Sequence, residues 1–232
     1  MSHLFTRNLT FQSNNLGKEA TIMLTFDADM EGLYEDFFPV VWKVSTFGKT
    51  GGRSYSCVSE SLTYIRPLFP GPYEAHATYT SQLAFSKPQV VDGNIIDAET
   101  SVKINVSEKT TLTVANDVYH FSPPQAGVAG VLQAVNSTGD VQDIAVGFMS
   151  PKELMPKPAL YFNGVGDGSH VTARFTPVLR VYVTSDYQQT AIIRGAIDTP
   201  AIWSQDLAEL AESTTWTLNR DAATGHYTIV QS

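Results

Sequence analysis

The chain has 232 residues with a formal net charge of −8, and 43% of its residues are hydrophobic. This length and hydrophobic content argue against a disordered chain, because they allow an ample core without a disulfide or a metal. The 15 basic residues are scattered rather than clustered, so nucleic acid is excluded as a partner: phosphate binding needs concentrated Lys and Arg.

Targeting signals are missing from the sequence pattern. The first residues, MSHLFTRNLTFQ, contain no apolar h-region, and no run approaches the length of a transmembrane span. The single cysteine, Cys57, leaves no partner for an intrachain disulfide. We therefore expect a soluble cytosolic protein, with a secreted form whose signal has been trimmed as the alternative. In the cytosol the sequons at Asn8, Asn105 and Asn136 would stay unmodified.

Alternation of apolar and polar residues, the period of two typical of strands, recurs along most of the chain. Single strands are predicted at residues 20–26, 40–47, 54–65, 100–106 and 110–115. Hairpins are predicted for residues 90–96 around Asp92-Gly93, for 131–135 with 143–148, for 177–185 with 190–197, and for TWTLN with HYTIV across residues 220–225.

One segment, residues 199–213, has a helical pattern, with Thr199 as its cap and Pro200 at the first helical position. Turn-rich strands with a single helix predict a mainly β fold, an antiparallel β-sandwich-like domain with one short C-terminal helix. The prediction is one domain over residues 1–232, with 122–127 or 151–158 as the sites of a subdomain break.

Two segments of the sequence resemble each other. FFPVVWKVST, from Phe37, and FTPVLRVYVT, from Phe175, both read F-x-P-V followed by an alternating strand. In that register TIMLTFDADMEG lies over ALYFNGVGDGS, and Asp29 over Asp167. A faded duplication would give a pseudo-duplicated pair of β subdomains, but a chance match is as good an explanation, because few residue types satisfy an alternating strand.

A glycine cluster, GVGDGS at residues 164–169, raises the question of a phosphate-binding loop. Such a loop needs a following helix whose N-terminus faces the phosphate, or a Gly-Lys-Ser/Thr sequence. The next residues, HVTARFTPVLRVYV, alternate and contain a proline, so they predict a strand. The glycines therefore predict a β turn with positive φ angles.

An acidic segment, DADMEG, places Asp27, Asp29 and Glu31 at alternate positions, like the start of an EF-hand loop. The match fails at position twelve, where Phe38 replaces the bidentate glutamate. Two interpretations stay open: a hard divalent cation, Ca or Mg, bound by these three carboxylates, or an acidic turn facing solvent.

Catalytic motifs are absent from the sequence. The five histidines show no metal-ligand spacing, and no G-x-S-x-G elbow occurs. We therefore predict a protein that is not an enzyme and has no catalytic residues. A hydrolase with unrecognised carboxylates is the least favoured alternative, because sequence cannot show two carboxylates facing each other.

Residues 63–85 carry prolines interleaved with aromatic side chains, a stiff loop that could form the wall of a ligand pocket or simply pack onto the core. The predicted function is binding of a small, flat, largely apolar molecule in an aromatic-lined pocket. The predicted ligand contacts are Trp42, Tyr64, Phe69, Tyr73, His76, Tyr161 and Arg174. His76 or Arg174 would pair with an acidic ligand group, and a cation at Asp27 would bridge to ligand oxygens.

The whole chain, with stretches such as FFPVVWKVSTFGK and KPQVVDGNIIDAET, resembles the pigment-binding chromoproteins of mushroom fruiting bodies. The resemblance implies non-covalent binding of a conjugated chromophore in an apolar pocket, without catalysis, and assigns no binding residue. Mushrooms also make cytosolic β lectins, so the alternative partner is a glycan bound by a lectin or defence protein. Homo-oligomerisation stays open.

Overall fold

The structure is a computed structural model that describes residues 4–27, 32–50, 73–150 and 153–232. Eighteen strands lie within these residues. In chain order they are β1 (Thr6–Ser13), β2 (Ala20–Thr25), β3 (Phe38–Pro39), β4 (Val41–Phe47), β5 (Tyr73–Thr80), β6 (Leu83–Asp92), β7 (Ile95–Ile104), β8 (Glu108–Ala115), β9 (Val118–Phe121), β10 (Gln125–Ala126), β11 (Leu132–Asn136), β12 (Gln142–Phe148), β13 (Lys157–Val165), β14 (His170–Ala173), β15 (Val178–Val183), β16 (Trp203–Asp206), β17 (Ser213–Arg220) and β18 (Tyr227–Gln231).

The described strands form four sheets, which confirms the mainly β prediction. Sheet I has the order β18-β17-β1-β5, and sheet II has the order β16-β15-β2-β4. Sheet III has the order β3-β13-β12-β6-β7, and sheet IV has β10-β8-β11-β14 with β9 also paired to β8. Pairing is antiparallel except between β1 and β17 and between β8 and β11.

Sheet I shows why the alternating sequence folds in this way. Leu9 and Phe11 of β1 are buried, whereas the alternating residues Asn8 and Thr10 face outward. An antiparallel strand points successive side chains to opposite faces, so one face packs on the core and the other meets water. The same alternation in β5 leaves a polar outer face on this sheet.

Several predicted strands and hairpins are confirmed. β2, β4 and β8 occupy their predicted segments, and residues 100–104 lie in β7. β6 and β7 form the predicted hairpin around Gly93, whose φ of +53° suits the turn. β17 and β18 pair across residues 220–225. The strand predicted at residues 54–65 lies outside the described residues.

Two predicted hairpins are wrong. β11 pairs with β8 and β14 in sheet IV, while β12 pairs with β6 and β13 in sheet III. The buried amide of Asn136 donates to the carbonyls of Asp140 (2.7 Å) and Val165 (2.8 Å), which fixes a crossing loop where a hairpin was expected. β15 pairs with β2 and β16, and Ile192 instead bridges to Val40.

The predicted helix over residues 199–213 is also wrong. Its residues form β16 and a single 3-10 turn, Leu207–Glu209, capped by the Asp206 carboxylate, which accepts from the Ala208 amide at 2.8 Å. Apolar side chains four residues apart, Trp203 and Leu207, suit a helix face, but both are buried in this strand-and-turn conformation as well. A short helix is not stable by itself and depends on packing against the rest of the protein. Here residues 203–206 pair with β15 instead, and this pairing stabilises a strand.

Five aromatic side chains form what we call the aromatic cluster: Phe26, Trp42, Tyr79, Phe148 and Phe175. The ring of Phe148, which ends β12, lies 4.7 Å from Phe26, 4.8 Å from Tyr79 and 4.9 Å from Phe175. Phe26 follows β2 in sheet II, and Tyr79 belongs to β5 in sheet I. The cluster therefore lies where sheets I, II and III meet.

The continuous buried core contains residues from all four sheets, Leu112 and Leu132 of sheet IV included. The single-domain prediction stays a prediction. The two segments with the shared F-x-P-V pattern contain β4 and β15, and these strands lie on either side of β2 in sheet II. The strand aligned with β2, which is β13, lies in sheet III, so the two matched segments do not have equivalent neighbours.

The glycine cluster forms the predicted turn. It joins β13 to β14, and Gly164 (φ +68°) and Gly168 (φ +73°) take the left-handed conformation that glycine adopts readily. A strand rather than a helix follows, so the helix N-terminus of a nucleotide-binding loop is not formed there. The described residues contain no helix that is long and apolar enough to cross a membrane.

Replacement of Phe148 by alanine should lower the free energy of unfolding by about 3–5 kcal/mol, because the change removes the ring at the centre of the aromatic cluster. Phe148→Leu, which keeps most of the volume, should cost about 1 kcal/mol. Val90→Ala, at a side chain that is 50% exposed, is the control and should change stability by less than about 0.5 kcal/mol. Urea denaturation measures all three, and equal losses in Phe148→Ala and Val90→Ala would contradict this packing.

Candidate ligand-binding pocket between two sheet edges

A pocket of about 540 Å³ lies beside β4 and β5 and is called the β4–β5 pocket below. β4 is the edge strand of sheet II, and β5 is the edge strand of sheet I. The two strands lie next to each other in space. The pocket is lined by Thr6, Asn8, Lys43, His76, Thr78, Ser150, Glu153 and Lys157.

The floor of the pocket is the polar outer face of sheet I. Asn8 of β1 lies opposite Thr78 of β5, and the Thr78 hydroxyl donates to Asn8 Oδ1 at 3.2 Å. The next pair, Thr10 with His76, is joined by a hydrogen bond of 3.1 Å to Nδ1. These cross-strand bonds hold the floor side chains in place before any ligand arrives.

Two lysines give the pocket positive charge. Lys43 lies on β4 and is half-buried, and Lys157 begins β13. Burial and the charge of Lys157 lower the pKa of Lys43 from its ordinary value, although Glu153 opposes this shift. Glu153 forms an ion pair of 2.5 Å with Lys157. One carboxylate thus balances two amines in a chain that is acidic overall.

His76 is the predicted ligand contact that the structure places in the pocket. Its side chain is 66% exposed, and Nε2 lies 3.6 Å from the Glu74 carboxylate. Each ring nitrogen can donate or accept a hydrogen bond according to the tautomer. His76 therefore offers a polar group to the pocket, and its pairing with an acidic ligand stays a prediction.

Other predicted ligand contacts lie elsewhere. Trp42 is 2% exposed in the aromatic cluster, and Tyr161 is 1% exposed in a separate apolar group. The Tyr161 hydroxyl donates to Asp143 at 2.6 Å, and burial together with this bond raises its pKa. Arg174 is exposed after β14. The structure therefore does not bring these three residues to one pocket with His76.

Some predicted site residues lie outside the described residues, namely Tyr64, Phe69, Asp29 and Glu31, and of Tyr73 only the backbone, which begins β5, is described. Their assignments stay predictions.

Asp27, the described member of the predicted cation site, is buried. Its Oδ2 accepts a hydrogen bond of 2.5 Å from the Tyr182 hydroxyl, and Arg180 donates to its backbone carbonyl at 3.3 Å. Within the described ranges, no group of three or more His, Cys, Asp or Glu side chains is placed so that it could bind a metal ion. In this structure Asp27 acts as the acceptor of a buried tyrosine.

A group of tyrosines surrounds this carboxylate. Burial, the negative charge of Asp27 and the neighbouring Tyr187 raise the pKa of Tyr34 to about 12. Burial and the hydrogen bond to Asp27 also raise the pKa of Tyr182. No local sequence pattern predicts this arrangement, because β2 and β15 bring Asp27 and Tyr182 together only in the folded sheet.

An apolar cleft of about 200 Å³, called the apolar cleft below, lies beside the aromatic cluster. Phe5, Tyr79 and Phe175 contribute rings to its wall. Leu4 (60% exposed) and Val106 (55% exposed) also line it. A further concavity of about 410 Å³ follows the glycine turn and includes polar side chains of Asp36, Asn163, Ser169 and His170.

Sequence reasoning missed the charged residues of the β4–β5 pocket. Lys43 occupies an ordinary polar position of an alternating strand, and Glu153 and Lys157 lie in residues 151–158, which the sequence suggested only as a subdomain break. Nothing local in the sequence shows that β4 and the start of β13 share a pocket with β5. Only the arrangement of the sheets reveals it.

The chain matches no known family model, and no curated protein or solved structure matches it significantly. Function is therefore inferred from the geometry and chemistry of the described residues.

The raised pKa of Tyr34 predicts alkaline destabilisation. An unfolded tyrosine loses its proton near pH 10, whereas folded Tyr34 keeps it to about pH 12. Its contribution to stability is therefore fully present below about pH 10 and is lost as the pH rises through about 12. Urea midpoints measured across this range should fall less steeply for Tyr34→Phe than for the unmodified protein. Identical slopes would contradict the assignment.

Proposed function

We propose that the protein binds a small acidic carbohydrate, or a similar polyhydroxy acid, in the β4–β5 pocket and releases it unchanged. The observation that carries the proposal is the convergence of two lysines with four neutral hydrogen-bonding side chains on one pocket. Its volume of about 540 Å³ suits a small ligand.

The charge distribution favours an acidic group on the ligand. Lys43 and Lys157 are close enough for their charges to repel, which contributes to the lowered pKa of Lys43. A ligand carboxylate beside Lys157 would relieve this repulsion and would form a charge-assisted hydrogen bond. Glu153 pairs with Lys157 but leaves Lys43 as the less compensated amine.

The neutral lining favours hydroxyl groups on the ligand. Thr6, Thr78 and Ser150 supply hydroxyls, and Asn8 supplies an amide. Such groups both donate and accept hydrogen bonds, as sugar hydroxyls do. The bond between Thr78 and Asn8 fixes part of this surface, which reduces the entropy lost on binding.

The number of carboxylates in the described pocket lining supports binding without hydrolysis. A glycosidase needs two carboxyl groups that flank the bond to be broken. Among the described lining residues Glu153 is the single carboxylate, and it already pairs with Lys157. A glycan-binding role of this kind matches the lectin alternative, and the proposal keeps the cytosolic location expected from the sequence.

A second candidate function is binding of a flat apolar molecule in the apolar cleft. Three aromatic rings line it, with the polar side chains of Ser81 and Asn105 beside them. Its volume of about 200 Å³ fits one aromatic ring of a ligand, since a cavity of about 150 Å³ holds benzene. This candidate corresponds to the pigment binding that the resemblance to mushroom chromoproteins implies.

Lys157→Gln should weaken binding of D-glucuronate about tenfold, because a charge-assisted hydrogen bond is worth about 1.5–3 kcal/mol and 1.4 kcal/mol corresponds to tenfold. Isothermal titration calorimetry at low salt measures the affinity. Lys109→Gln is the control, since Lys109 is exposed on β8 and does not line the pocket. An equal loss in both variants, or glucuronate that fails to bind the unmodified protein, would refute the proposed ligand class.

For the second candidate, Val106→Asp should weaken binding of the neutral dye Nile red about tenfold, because it places a carboxylate in the wall of the apolar cleft. Val128→Asp is the control, since Val128 is 57% exposed and lies outside the cleft lining. Fluorescence titration measures both variants. Equal affinities for the two variants would exclude the cleft as the dye site.

A further inference from the structure

We propose that Lys43 forms a reversible imine with the aldehyde group of an acidic ligand, so that the β4–β5 pocket captures the open-chain form of a sugar acid. This inference rests on the proposed function, because it assigns a reactive group to the ligand of the same pocket. It adds a covalent step to binding and leaves the released ligand unchanged.

Lys43 is placed on a rigid element. It lies opposite Leu24 in the β2–β4 ladder, and its chain neighbour Trp42 is buried in the aromatic cluster. The ladder has a register shift at this point, since Leu24 pairs with Lys43 but Thr25 pairs with Val41, so Trp42 is an extra residue of β4. Next to this anchored ring, half-buried Lys43 lines the β4–β5 pocket from the edge strand. Reactive side chains on strands are held more accurately than those on loops.

The surroundings of Lys43 lower its pKa and so ease formation of the neutral amine, which is the nucleophile. A lysine ammonium has no lone pair, so it must lose its proton before it can attack a carbonyl carbon. Half-burial and the charge of Lys157 both lower the pKa of Lys43, while Glu153 acts in the opposite direction. The other titratable groups of the described lining are His76 and, beside it, Glu74.

The two amines can then have different tasks. Lys157 is held by Glu153 and attracts the ligand carboxylate. A ligand anchored there presents its remaining atoms within the same pocket as the Lys43 amine. Holding the two reactants together converts a bimolecular addition into an effectively unimolecular one.

The reaction requires no oxidant or reductant. The neutral Lys43 nitrogen adds to the aldehyde carbon, a C–N bond forms, and the carbonyl electron pair moves to oxygen, which takes up a proton. The resulting carbinolamine loses its hydroxyl group as water while the nitrogen releases a proton and forms the C=N bond. The sum is amine plus aldehyde to imine plus water. His76 lines the same pocket and can donate and accept these protons.

The test uses glyoxylate, a small acidic aldehyde, with cyanoborohydride, which reduces an imine to a stable carboxymethyl amine. The labelled protein is digested, and peptide mass spectrometry follows the adduct at each lysine as a function of pH. We expect Lys43 to be labelled fastest, with a pH midpoint shifted below those of the exposed Lys18 and Lys109. Lys157→Gln should raise the Lys43 midpoint, whereas Lys109→Gln should leave it unchanged.

Labelling of Lys43 that is no faster than at Lys18, or a midpoint that Lys157→Gln does not move, would overturn the inference. Equilibrium binding of D-gluconate, which has an acid group but no aldehyde, separates this result from the proposed function. Gluconate binding without selective labelling leaves the pocket as an acid-binding site and removes the imine. Failure of gluconate and glucuronate to bind removes the proposed function and the inference with it.

Discussion

The aromatic cluster joins three sheets and also fixes the position of the candidate pocket. Trp42 of β4 and Tyr79 of β5 both pack in it against Phe26. Their chain neighbours, Lys43 and Thr78, both line the pocket. Thr78 lies on the outer face of sheet I because strand side chains alternate between faces, and Lys43 lies beside the register shift that makes Trp42 an extra residue of β4. Packing of the two rings thus brings polar side chains of two sheets into one pocket.

This arrangement separates stability from binding. Aromatic rings expected to contact a ligand, such as Trp42, contribute to the core, where large side chains are worth several kcal/mol each. The ligand pocket is left to polar and charged groups at the sheet edges. Lys43 links the core to the pocket. Its strand is anchored by Trp42 in the aromatic cluster, and the charge of Lys157 acts on its amine.

The sequence predicted the strands better than their partners. Alternation located β2 and β4, and Asp92-Gly93 located a hairpin, because these signals are local. The partner of β11 depends on long-range pairing with β8 and on the buried Asn136, neither of which a local pattern shows. Long-range arrangement also explains why Lys43 and Lys157 were missed as pocket residues. His76 was predicted because it stands in a proline- and aromatic-rich segment, which is a local signal. Aromatic type alone could not tell a packed ring from a pocket wall.

The claim that the ligand binds outside the aromatic cluster can be tested by NMR chemical-shift mapping during a glucuronate titration. The account predicts that the largest amide shifts occur in β1, in β5 and near Lys43 and Lys157, while the signals of Phe26 and Phe148 stay in place. Largest shifts at Phe26 and Phe148 would show that the ligand enters the core, and would contradict the account.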